Sequence, residues 1–134
     1  DRKEKEILEI AKMNSDFLVF ARYMVVVSNE FLSSYGKDII NIHHSFLPSF
    51  KGANPYRQAF EKGVKVVGAT SHFVTQDLDE GPIISQFVES VSHRDGAEDL
   101  KRKGKNMEKR ALSQAVYNYI DRRIIKYKNR TIVF

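Results

Sequence analysis

Cysteine is absent from the 134 residues, which excludes disulfide scaffolds, thiolate zinc sites and cysteine nucleophiles. No long hydrophobic run is present. The longest mainly apolar stretch, Phe17 to Val27, is interrupted by Arg22 and is too short to cross a bilayer. No signal peptide is expected from the residues that follow Asp1. The seven glycines are scattered and form no G-x-G-x-x-G, the turn with which a doubly wound nucleotide-binding domain usually opens. H-E-x-x-H is missing, and so is the G-x-S-x-G elbow that a Ser45 nucleophile would need. Internal repeats and low-complexity linkers are missing as well. The expectation is one domain in an aqueous compartment, the cytoplasm, with no membrane role. Without an opening strand and glycine-rich turn, the chain reads as the second half of a larger sheet.

What is present is ordinary globular composition, 42% hydrophobic and 29% charged. A chain of this length makes one domain and buries a real apolar core without staples. The net charge of +5 points toward anionic partners only until its position is read. Residues 94–130 hold 12 Lys and Arg against 5 acids, and the remainder holds 10 against 12. That block carries a helical pattern, so a solvated helix face is its reading, with a site for anionic ligands or partners as the alternative. Neither an RNA-binding aromatic signature nor zinc-finger spacing accompanies it, and nucleic acid is not an expected partner.

Periodicity predicts a helix over Arg2 to Asn14 and a short two-faced apolar strand over Asp16 to Ala21. Ser28 is placed to cap a helix carrying Phe31 and Leu32 and ending at Gly36; a buried strand follows over Asp38 to Ile42. Asn54–Pro55 reads as an N-cap and first helical residue, with Gly63 closing that helix. Val64 to Val74 and Pro82 to Val88 are strand candidates. Ala97 to Ile120 is helical, with Leu100, Met107, Ala111, Ala115 and Tyr119 on one stripe. Gly104 falls on that stripe and predicts a close contact or a break. Ile124 to Phe134 reads as two short strands turning at Lys128–Asn129. Helix and strand alternate, which predicts an α/β fold with a mostly parallel sheet between helices and a C-terminal hairpin.

Two polar clusters can carry chemistry. The first is N-I-H-H-S-F-L-P, Asn41 to Pro48, directly after a strand. Strand alternation puts Asn41 and His43 on one side, and an amide N–H beside a ring N–H suits a growing oxyanion. The second is T-Q-D-L-D-E-G-P, Thr75 to Pro82, where a tight turn at Gly81–Pro82 can aim one carboxylate back at the histidine loop. A carboxylate beside an imidazole favours its protonated form and orients a water molecule. Metal is the competing use, with His43, His44, His72 and the loop acids as ligands. Adjacent His43 and His44 on extended backbone diverge, however, which is poor geometry for one ion, and no metal site is expected. His93, among charges, reads as a surface residue.

Taken together, N-I-H-H-S-F-L-P, K-G-A-N-P-Y at Lys51–Tyr56, G-A-T-S-H-F-V at Gly68–Val74 and L-D-E-G-P-I-I at Leu78–Ile84 resemble the folate-dependent formyltransferase superfamily. Within it the chain is most similar to the deformylase family, which hydrolyses 10-formyltetrahydrofolate to tetrahydrofolate and formate. The resemblance implies a formyltransferase-like, Rossmann-type fold. It also implies a catalytic set at Asn41, His43 and Asp79, singling out Asp79 among neighbouring acids. His44 stands where the related glycinamide ribonucleotide formyltransferases typically carry Pro, and it and His72 are assigned supporting roles. Met24, Val25, Val26 and Val27 match the stretch lining the folate pocket, and Thr75, Gln76 and Asp77 the loop that meets the pterin. Folate and water are then the reactants, with no prosthetic group, and a homo-oligomer is expected. Family members carry an upstream ACT domain and the first half of the sheet, so residues 1–134 are expected to be a partial catalytic domain. The alternatives are a formyltransferase of the glycinamide ribonucleotide type, and an inactive folate-binding or assembly fragment.

Overall fold

The computed structural model describes residues 2–21, 27–44, 54–76 and 81–134. The elements are α1 (Arg2–Asn14), β1 (Leu18–Phe20), α2 (Asn29–Tyr35), β2 (Ile39–His43) and α3 (Pro55–Lys62). They are followed by β3 (Val66–Phe73), β4 (Ile83–Ser90), α4 (Ala97–Ile120), β5 (Ile124–Tyr127) and β6 (Arg130–Val133). Local chemistry sets most of these boundaries. Ser28 accepts from the Phe31 N–H at the start of α2, and Gly36 takes the left-handed conformation that closes it. Pro55 occupies the first turn of α3, and left-handed Gly63 ends it. Asn54 holds the expected N-cap position, its carbonyl accepting from the Gln58 N–H at 3.1 Å, but its backbone is left-handed, with φ 55°, and its side chain makes no cap hydrogen bond. Asn is among the residues that tolerate this region because its short polar side chain bonds locally.

The main sheet has the order β1-β2-β3-β4. The α/β class holds, but the expectation of a mostly parallel sheet is corrected for the described strands. Only β1 and β2 are parallel, whereas β2–β3 and β3–β4 are antiparallel. Parallel pairing needs a crossover that carries the chain back along the sheet. Between β1 and β2, α2 supplies one. The short segment from Val74 to Pro82 cannot, so β4 folds back beside β3. Helix α3 does not travel back along β2 either: its Ala59 packs on Val67 at the start of β3 and on Leu100. β5 and β6 form the expected two-stranded hairpin.

Each face of the sheet has its own core. On one, Ile39 packs with Ala11 of α1 and Phe31 and Tyr35 of α2. On the other, Ile40, Phe73 and Ile84 meet Ala115 of α4, and Ala69 meets Met107 and Ala111. Ala111 and Ala115 are fully buried, so the helix backbone lies close enough for Ser85 Oγ to donate to the Ala111 carbonyl at 3.1 Å. Of the basic block, Lys101, Arg102, Lys109 and Arg110 are exposed on α4, and Arg122, Arg123, Lys126, Lys128 and Arg130 are exposed beyond it. Lys103 pairs with Asp95 at 3.0 Å and Arg110 stacks on Phe87. The hairpin is tied to the sheet through Asp38, which accepts from the Tyr119 hydroxyl at 2.7 Å and pairs with Lys126. Burial, followed by the Asp38 carboxylate, pushes ionisation of Tyr119 well above the usual tyrosine range.

Candidate active site

Asn41 and His43 lie two residues apart on β2 and leave the same face of the strand. The antiparallel register sets His72 opposite Asn41 and Thr70 opposite His43, on that same face. This is the face away from α4. The His72 ring stacks on the His43 ring, with centroids 5.3 Å apart and planes inclined by 26°. His72 is buried, and its Nδ1 lies 2.8 Å from the Phe73 carbonyl. A carbonyl only accepts, so Nδ1 is assigned as the protonated nitrogen. Gln86 donates to Thr70 Oγ1 at 3.1 Å and extends the polar band onto β4.

Gly81 seats the second polar cluster against this array. A Cβ at Gly81 would fall 1.6 Å from the Phe73 carbonyl oxygen and 3.3 Å from His72 Nδ1. Pro82 adds a backbone bond, its carbonyl accepting from Phe73 N–H at 3.0 Å. The chain just after residues 77–80 is therefore pressed onto the strand that holds His72. Asp77 and Asp79 themselves lie outside the described residues. Chemically, an Asn amide and an imidazole on one face offer two N–H donors to an oxygen gaining charge.

His44 leaves the opposite face, toward α3 and α4, where its ring lies 6.3 Å from that of Tyr56. It borders a cavity of about 670 Å³ with Tyr56, Lys101, Lys105 and Glu108 among the walls. The two adjacent histidines thus diverge, as extended backbone requires. Among the described residues no group of three or more His, Cys, Asp or Glu converges as metal ligands would. No helix among them is long and apolar enough to cross a membrane.

Comparison with known proteins accounts for this arrangement. The sequence model of the formyl transferase family matches residues 1–116. The chain belongs to the formyl transferase family. Among curated relatives, it is 54% identical over 135 residues to formyltetrahydrofolate deformylase 1, mitochondrial, of Arabidopsis thaliana, covering 100% of this chain and 42% of that protein. The crystal structure of formyltetrahydrofolate deformylase from Burkholderia mallei superposes with a TM-score of 0.90 at 47% identity, covering 99% of this chain and 48% of that one. Glycinamide ribonucleotide transformylase 1 from Symbiobacterium toebii superposes less closely, with a TM-score of 0.83 at 36% identity over 98% of this chain and 62% of that one. The chain spans less than half the length of the deformylases it matches.

In this formyl transferase family member, the described residues among those expected from sequence to bind folate border α2 from two sides. Val27 precedes the Ser28 cap and packs partly buried against the Ala11, Phe31, Tyr35 and Ile39 cluster. Thr75 and Gln76 follow β3, exposed, and Gln76 donates to Ser33 of α2 at 3.2 Å. Met24, Val25 and Val26 lie outside the described residues. Sequence reasoning did not single out Thr70, Gln86, Tyr56 or Glu108. The first two are visible only through strand register. Tyr56 closes the K-G-A-N-P-Y motif and Glu108 follows Gly104 by one helical turn, yet no linear pattern says that they meet.

Proposed function

We propose that the intact protein hydrolyses the N10-formyl group of 10-formyltetrahydrofolate, releasing tetrahydrofolate and formate. The observation that carries this reading is the N-I-H-H strand end, with Asn41 and His43 on one face and His72 stacked behind. The deformylase names of relatives near 50% identity support water as the acceptor. Water held by Asp79 attacks the formyl carbon as the carboxylate takes its proton. The Asn41 amide and His43 ring N–H stabilise the tetrahedral oxyanion, and His43 delivers a proton to N10 as the C–N bond breaks. Met24 to Val27 and Thr75 to Asp77 hold the folate, and His44 and His72 support the set. No prosthetic group takes part. Copies of the chain are the expected protein partners, and the cytoplasm the expected compartment. Residues 1–134 are one part of the catalytic domain, completed by upstream sequence.

The test is incubation of the intact protein with 10-formyltetrahydrofolate alone. Release of formate without any amine supports the hydrolase. Turnover that appears only on adding an amine acceptor would make it a transferase, and folate binding without turnover would make it a silent binding module.

A further inference from the structure

The cavity behind β2 has a feature that the catalytic set does not use. Gly104 lies on the buried stripe of α4, and a Cβ there would fall 2.1 Å from Tyr56 Cε1 and 2.4 Å from its Cζ and hydroxyl oxygen. The ring of Tyr56 is therefore wedged into a notch that only glycine leaves open. One turn further along α4, Glu108 accepts from the Tyr56 hydroxyl at 3.1 Å. Against this ring, tilted by 55°, stands His44. Tyr56 lies in the first turn of α3 and His44 follows β2, so the contact joins the two sides of residues 45–53.

We propose that Tyr56 is a positioning residue for the reaction, holding the His43–His44 end of β2 from the face opposite the substrate. His43 and His44 share a peptide and point to opposite faces, so a ring that fixes His44 also fixes the backbone from which His43 projects. The hydroxyl bond to Glu108 sets the depth of the Tyr56 ring, and Gly104 gives it room. A positioning group of this kind acts on turnover, because reacting geometry tolerates displacements of well under an ångström. Tyr56 and His44 lie on the face of β2 opposite Asn41 and His43, so substrate affinity is not the readout for Tyr56. The inference rests on the deformylase reading of the His43 face.

Tyr56→Phe keeps the ring and removes the hydroxyl that bonds Glu108. In the intact protein it is expected to lower kcat by roughly tenfold or more, leave KM for 10-formyltetrahydrofolate within about twofold, and shift the histidine limb of the kcat–pH profile. Gly104→Ala, which displaces the ring, should lower kcat in the same way. NMR titration of the His43 and His44 ring protons gives a readout independent of activity. Tyr56→Phe should move both, His44 through contact and His43 through the shared backbone. A protein that binds folate but releases no formate would refute the deformylase reading, and the NMR titration would still judge the positioning role. Parental kcat, pH profile and His43 titration in Tyr56→Phe, with only the melting temperature lowered, would reduce Tyr56 to a packing residue and overturn the proposal.

Discussion

Replacing Gly81 by alanine tests how the second polar cluster is held. The methyl carbon would stand 1.6 Å from the Phe73 carbonyl oxygen and 2.8 Å from its carbonyl carbon. Both are backbone atoms of a central strand, so neither can swing aside as a flexible side chain would. Gly81 is not in the left-handed region, so steric exclusion is the whole of the argument. Overpacking of this kind costs about 1–3 kcal/mol. Moving Gly81 also strains the Phe73 N–H to Pro82 carbonyl bond, worth about 0.5–1.5 kcal/mol. The expected loss is thus about 1.5–4.5 kcal/mol, read as a lower urea midpoint at unchanged m in the intact protein. Gly104→Ala is the internal control. There the obstructing atoms belong to the Tyr56 side chain, which can rotate, and alanine gains about 1 kcal/mol of helix propensity over glycine. Its net loss should stay below that of Gly81→Ala. Because Gly81 lies two residues from Asp79, formate release should fall more steeply than stability does. A Gly81→Ala protein within about 0.5 kcal/mol of the parent, with parental turnover, would refute the reasoning.

Asn41→Ala should lower formate release by ~10²–10³ in steady-state assays, the usual cost of one oxyanion donor; near-parental turnover removes Asn41 from the mechanism. The folded state retains the Tyr119 proton to higher pH than the unfolded chain does. Its contribution is therefore complete below the ordinary tyrosine value of 10.0 and declines as pH rises beyond it. Thermal melts of Tyr119→Phe should lose that alkaline decline. Asp95 titrates in the opposite sense: the Ser92 N–H first, then Lys103, hold its carboxyl below the usual 3.8. Its contribution is present above that value and lost as pH falls through the lowered one, so Asp95→Asn should flatten the acid side of the same curves. Produced alone, residues 1–134 should associate, as size-exclusion chromatography would report. The outer edge of β1 has no partner strand among the described residues, and Ile7, Ile10 and Met13 are 49%, 65% and 86% exposed. A soluble monomer that unfolds cooperatively would show that this part of the fold suffices by itself.

The sequence by itself determined the elements whose boundaries rest on local chemistry. Ser28 and Gly36 delimit α2, Pro55 and Gly63 delimit α3, and the Lys128–Asn129 turn makes the hairpin, because caps and turns depend on residues a few positions apart. It also brought Asn41 and His43 to one face, since strand alternation is itself a local rule. On α1 periodicity located the helix over Arg2–Asn14 but not which of its apolar residues are buried. Leu8 and Ala11 face the core, but Ile7 and Ile10 are exposed, because a helical stripe does not say how much of it finds a partner. Strand direction was beyond local reading, since whether β3 runs with β2 or against it depends on where α3 packs. Only the tertiary structure decided that His72 stacks on His43, that Gly81 presses on Phe73, and that Gly104 admits Tyr56. Each of these contacts joins residues far apart in the chain, and their distances follow from register and helix placement rather than from any neighbour in sequence.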